Sequence, residues 1–292
     1  MKPSFIALLF SFLLLVMATI WILSRTTNPT DTSLPTVGAT TTPIADITSH
    51  IAGGILNVER ILPPGVSPHT FEPSPSDMKR LEDAHVIYVN GLELDTWALV
   101  IAESLAIETV DLSAPISPIE DLHEGTFDPH YWLTPQNAAL MAQTIAQDLS
   151  TRFPEHTQTF QTNLKTYLTE LSATDGQIRE ILAGLDSRTL VTFHNSFAYF
   201  AKEYDLEVIG TFEPTAGREP TSQELVQLTQ AIEQYGVTTV YSEPQLSDAP
   251  LAAFLNDNHL HVAVLDPIGG FEGRTTLIDL LLYNANVISQ NQ

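Results

Sequence analysis

His69, His130, His194 and Asp266 each stand just beyond a strand-like run of this chain. His69 lies in Leu62-Pro-Pro-Gly-Val-Ser-Pro-His69-Thr-Phe-Glu-Pro, a stiff loop after the run 58–62. His130 lies in Asp128-Pro-His130-Tyr-Trp-Leu, and His194 follows Thr189-Leu-Val-Thr-Phe193. Asp266 follows His261-Val-Ala-Val-Leu265 and precedes Pro267. In an open α/β sheet, ligands gather beyond the carboxyl ends of strands, so residues distant in sequence converge there. Three imidazoles and one carboxylate form a four-coordinate set for Zn²⁺ or a similar divalent ion. Alone, each histidine reads as a cap or surface group and Asp266-Pro267 as a turn. Their joint arrangement points to a metal.

The elements that must position these residues alternate along the chain. Strands are expected at 36–41, 58–62, 86–90 and 109–112, with helices at 43–53, 75–83 and 134–152, the last opening on Pro135. After 187 the alternation resumes, with strands at 190–193, 207–211, 237–242 and 262–265. Helices are expected between them at 195–204, 221–235 and 249–258, and a last one at 275–290. Such alternation implies mostly parallel sheets with helical crossovers. Between the two runs, Phe160, Leu164, Tyr167, Leu168, Leu171, Ile178, Ile181 and Leu182 recur at three- and four-residue spacing. One helix of roughly 30 residues would be about 45 Å long, too long for a crossover inside one lobe. It reads as a strut, with Gly176 as the one point where it would break. The expected organisation is α/β: an N-terminal lobe at 35–153, a linking helix at 154–186 and a C-terminal lobe at 187–292, with the metal site in the cleft between lobes.

Ahead of the first strand, Lys2 precedes an apolar run at 5–23 and Arg25 follows it. At roughly 19 residues the run is at the lower limit for spanning a bilayer and longer than a signal-peptide core. Residues 1–25 are therefore expected to be a signal or membrane anchor that exports the chain, and the polar stretch 26–34 a tether. There is no cysteine, so a disulfide framework, a thiolate metal site and a cysteine nucleophile are all excluded. Thirty-five acidic against 12 basic residues give a formal charge of −23, which repels nucleic acid and favours cations.

Several stretches together resemble the metal-binding solute receptors of bacterial ABC importers. They are Gly38-Ala-Thr-Thr-Thr-Pro-Ile, Pro63-Pro-Gly-Val-Ser-Pro-His-Thr-Phe-Glu-Pro-Ser-Pro-Ser-Asp77 and Asn90-Gly-Leu-Glu93. Asp128-Pro-His-Tyr-Trp-Leu, Phe193-His-Asn-Ser-Phe, Ser242-Glu-Pro-Gln and Leu265-Asp-Pro-Ile-Gly-Gly270 continue the likeness in order. The resemblance runs from Pro35 to the C-terminus. It implies two α/β lobes joined by one long helix, a metal carried between them, and delivery of that metal to a membrane permease by a monomeric receptor. Carried over residue by residue, the family's ligands fall on His69, His130, His194 and Asp266. Manganese-type relatives place a carboxylate where this chain has His194, so the resemblance implies zinc as cargo, with manganese or iron as the alternatives.

The loop before His130 holds Glu120, Asp121, His123 and Glu124, a solvated acidic loop or a cation-catching mouth. The span 113–128 is short where some zinc receptors carry a long His/Asp-rich insertion. A zinc hydrolase would need an open coordination position and a base. Glu243, after the strand at 237–242, is the one group available for that role, and a hydrogen bond across the cleft is its other reading. No His-Glu-x-x-His helix is present, so no enzyme activity is expected.

Overall fold

Both halves of the chain build the same sheet. The computed structural model describes residues 34–121, 125–213, 217–245 and 251–292, together with Met17. In the first half come β1 (Thr36–Ala39), α1 (Thr42–Ala52), β2 (Asn57–Arg60), α2 (Pro75–Arg80), β3 (Ala84–Val89), α3 (Thr96–Leu105) and β4 (Thr109–Asp111). A two-stranded antiparallel hairpin, β5 (Glu120–Asp121) with β6 (Thr126–Phe127), and helix α4 (Pro135–Arg152) follow. Helix α5 (Thr157–Leu182) leads to the second half. There β7 (Thr189–His194), α6 (Ala198–Glu203), β8 (Glu207–Glu213), α7 (Ser222–Tyr235), β9 (Thr239–Ser242), α8 (Leu251–Asp257), β10 (His261–Val264) and α9 (Leu277–Asn291) repeat the alternation. Every pairing in the two four-stranded sheets is parallel, and the orders are β2-β1-β3-β4 and β8-β7-β9-β10. Counted from its own first strand, each is 2-1-3-4. The order reverses beside β1 and beside β7, and at such switch points loops splay apart to leave a crevice.

The expected architecture, two parallel α/β lobes and one long helix, is the one the chain adopts. Local chemistry explains the element ends. Ser74 and Asp77 form a capping box at the start of α2, and Thr221 with Glu224 does the same for α7. Thr134 caps α4 with Pro135 in its first turn, and α1 stops at Gly53, in the left-handed region at φ 59°. Alternation along β3 sends Val86 and Tyr88 to one face of the sheet and Ile87 and Val89 to the other, where they pack with Ala98, Ile101 and Ala102 of α3.

Helix α5 is continuous through Gly176 and about 39 Å long at 1.5 Å per residue. It buries Phe160, Tyr167, Leu171, Ile178 and Leu182 along one stripe, against α1 and α4 of the first half and α9 of the second. One apolar cluster therefore runs from Val37 and Ile44 through α5 to Phe200, Leu281 and Ile288. Four elements depart from the sequence reading. Helix α3 lies where no element was expected, the β5–β6 hairpin likewise, and the helix expected from 195 begins at Ala198. Apart from Met17, the apolar run at 5–23 lies outside the described residues, as does His123. Among the described residues no helix is long and apolar enough to cross a membrane.

Candidate metal centre

The loop carrying His69 leaves β2 and is held by Trp97 of α3, whose indole N–H donates to the Pro68 carbonyl at 3.1 Å. The loop carrying His130 is held from β3: Asn90 Nδ2 donates to the Pro129 carbonyl (3.0 Å) and the Tyr131 hydroxyl to the Asn90 carbonyl (2.6 Å). Asp95 fixes that corner by accepting from the Thr40 hydroxyl and from the Asn90 and Gly91 amides. His194 is the last residue of β7, and Glu243 follows β9, so both stand at the switch point of the second sheet.

These loops bring three imidazoles together. His69 Nε2 and His130 Nε2 are 3.2 Å apart, and His194 Nε2 is 3.3 Å from His130 Nε2. Two nitrogens bound tetrahedrally to zinc at about 2.0–2.1 Å stand about 3.3–3.4 Å apart, so the spacing is close to that of neighbouring ligands on one small divalent ion. His130 and His194 are buried, His69 partly so. They enclose a cavity of ≈ 10 Å³ together with Glu243, Gln245 and Pro267, about the size of one water-sized sphere.

The far nitrogens are also engaged. His130 Nδ1 donates to Asp128 Oδ1 at 2.7 Å, and His194 Nδ1 donates to Glu243 Oε1 at 2.6 Å. A carboxylate only accepts, so the proton sits on Nδ1 and the Nε2 lone pair faces inward, the tautomer a metal requires. Burial, reinforced by the neighbouring histidines, pushes His69 down to about 2, and burial takes His130 down to about 3. Burial is the largest influence on His194 and lowers it, but the charge and hydrogen bond of Glu243 together with the charges of Asp128 and Glu213 make the net shift upward. Burial raises Asp128 to about 7.

Asp266, the fourth residue expected to ligate, stands apart from this group. Only His69, His130 and His194 place their ligand atoms within 4.8 Å of one another among the described residues. Asp266 Oδ1 instead accepts from Gln245 Nε2 (2.8 Å) and from the Ile268 and Gly269 amides (3.0 and 2.9 Å). Its Oδ2 faces Arg274 Nη1 at 3.1 Å, and Asn284 clamps its backbone. Asp128 and Gln245 were not singled out from sequence, although both lie in the quoted motifs. A carboxylate two residues before a candidate ligand histidine is the signal for Asp128. Glu243 makes the hydrogen bond across the cleft that was one of its two readings.

A family model described as the zinc-uptake complex component A, periplasmic (ZnuA), matches residues 37–291. The metal ABC transporter substrate-binding lipoprotein ScbA of Streptococcus cristatus is 30% identical over 251 residues, 82% of this chain and 81% of that protein. The iron-binding protein YfeA of Yersinia pestis is 29% identical over 90% of this chain and 88% of its own length. A solved structure of a ZnuA deletion mutant with zinc bound superposes with a TM-score of 0.81 at 28% identity, over 89% of this chain and 98% of that one. With a match over nearly all of both lobes and three histidines converging between them, the chain belongs to the ZnuA family of metal-binding solute receptors of bacterial ABC importers.

Proposed function

We propose that this chain captures Zn²⁺ outside the cytoplasm and hands it to an ABC permease for import. His69, His130 and His194 are its direct ligands and Asp266 the fourth member of the site. The observation that supports this most is the inward convergence of three Nε2 atoms, with neighbouring pairs at 3.2 and 3.3 Å and two of the rings held by a carboxylate on the far nitrogen. Imidazole suits zinc, whereas carboxylate, carbonyl and water suit manganese, and zinc outranks manganese in intrinsic affinity. The name of the relative YfeA keeps iron as an alternative cargo, and the manganese named for another relative, MntA, is the other. The receptor works as a monomer and catalyses nothing, since Glu243 is spent on His194 and on the Ser196 hydroxyl (3.0 Å) rather than poised as a base.

Residues 1–25 serve as signal or anchor, 26–34 as tether, 35–153 and 187–292 as the two lobes and 154–186 as the link between them. With no cysteine to carry a lipid, the apolar run at 5–23 takes the anchoring part that a lipid plays in relatives named as lipoproteins.

Elemental analysis of protein purified without chelator, followed by competition between Zn²⁺ and Mn²⁺, tests the proposal. One zinc per chain is expected, with Mn²⁺ displaced, and His194→Ala loses most of the thermal stabilisation that zinc confers. Equal or tighter binding of Mn²⁺ would overturn the choice of metal, and full stabilisation of the variant would overturn the site.

A further inference from the structure

We propose that Arg274 sets how tightly this receptor holds its cargo, as a built-in cation that shares the one anionic ligand, Asp266, with the metal; the inference rests on the receptor reading above. Asp266 lies directly behind the histidines. Pro267 and Ile268 line the small cavity beside them, and so does Gln245, whose Nε2 donates to Asp266 Oδ1. That oxygen also accepts from the Ile268 and Gly269 amides, so Oδ2 is the one left to meet a cation. Oδ2 is buried and makes no hydrogen bond among the described residues, and the same holds for Arg274 Nη1, 3.1 Å away. The two are paired by charge alone, and the lone pairs of Oδ2 stay available.

A positive charge behind a site that takes a cation opposes binding, and the chain has only 12 basic residues to place against 35 acidic ones. Yet Arg274 is firmly built in. It closes a tight turn, in which the Gly270 amide donates to the Arg274 carbonyl (2.8 Å) and the Arg274 amide to the Phe271 carbonyl (2.9 Å). Gly269, at φ 73°, permits that approach, since a Cβ there would lie 2.7 Å from the Arg274 carbonyl oxygen. The guanidinium lies over the rings of Phe271 (5.1 Å) and Tyr283 (4.5 Å), and its side chain is 16% exposed. Without Arg274 the buried Asp266 carboxylate would stand uncompensated until a metal arrived, the strongly unfavourable way of breaking a buried pair. Metal binding would then be tighter by the relief of that strain. Arg274 removes most of the penalty beforehand, so less free energy is released on binding and the cargo leaves more readily. By the same linkage, Arg274 stabilises the metal-free fold.

The test uses the full-length chain in detergent, with Zn²⁺ affinity and release rate read by chelator competition and melting measured in chelator. Arg274→Met removes the charge and keeps an unbranched side chain. It is expected to melt lower in chelator, yet to bind zinc about 10-fold or more tightly, the scale of coupling between close charges, and to release it correspondingly slowly. Arg274→Lys keeps the charge and should stay near the wild type. Asp266→Asn removes the charge that the two cations share. It should weaken zinc binding, and adding Arg274→Met to it should then give no gain. Arg274→Gln, with an N–H donor but no charge, replaces Arg274→Met if the latter does not fold. Unchanged or weaker binding by the uncharged variants, or binding by Arg274→Lys as tight as theirs, overturns the proposal. So does undiminished binding by Asp266→Asn, or a gain that survives in the Asp266→Asn background. Failure of the wild-type chain to bind Zn²⁺ at all would instead overturn the receptor reading.

Discussion

An imidazole offers a metal one nitrogen, and whatever touches the other nitrogen decides whether that offer is ready. In this chain Asp128 and Glu243, both nearly fully buried, hold the Nδ1 protons of His130 and His194. Removing the negative charge while keeping an acceptor isolates the contribution of each carboxylate. Asp128→Asn and Glu243→Gln should each weaken zinc binding by about 10–100-fold with the stoichiometry unchanged. Calorimetric titration measures it, and unchanged affinity in both variants would show that the carboxylates only pack. The three histidines were legible from sequence because proline-rich or strand-end loops announce them. The roles of Asp128, Gln245 and Arg274 were not, because each depends on which loop lies opposite. Asp266 shows the same limit from the other side. Its position after a strand made it a candidate ligand, but its bond to Gln245 and its pairing with Arg274 exist only in three dimensions.

Among the elements, α5 was readable because its apolar residues recur at helical spacing, and α3 was not because it lacks a polar face. Helix α3 buries Ala98, Ile101 and Ala102 while Leu99 and Val100 remain exposed, so no amphipathic stripe gives it away. That omission hid a functional contact, since Trp97 of α3 holds the Pro68 carbonyl beside His69. The two-residue strands β5 and β6 are too short for any periodicity to show. Gly176 was the doubtful point in α5, yet the helix passes through it unbroken. Its backbone is not in the left-handed region, and nothing lies within 4 Å of where a Cβ would sit. Gly176→Ala should therefore stabilise the chain by about 0.5–1 kcal/mol, read as a higher denaturant midpoint with zinc affinity unchanged. A lower midpoint would mean that α5 needs the freedom of glycine there.

For the whole molecule, the question is what ties two similar lobes into one body around the metal. Trp132 donates its indole N–H to the Pro267 carbonyl at 2.7 Å, and the Tyr199 hydroxyl donates to the Asp128 carbonyl at 2.9 Å, so each lobe grips the other beside the site. Away from the histidines in sequence, Asp46 of α1 accepts from the Leu277 amide at the start of α9 (2.9 Å) and pairs with His50, which stacks on Tyr167 of α5 at 4.8 Å. The hydrogen bond to Asp46 raises His50 to about 9 against the opposing effect of burial, with the Asp46 charge and Glu170 adding to it. A histidine raised on folding stabilises the folded state fully below its unfolded value of about 6.5, and that contribution disappears as pH climbs through about 9. The side chain is 37% exposed, so solvent screening reduces the effect to about 1 kcal/mol. Unfolding free energies of the wild-type chain and His50→Gln, from urea titrations in chelator from pH 6 to 10, should differ by that amount at pH 6 and converge by pH 10. Curves that stay parallel across the range would show that the charge on His50 does not help hold the lobes together.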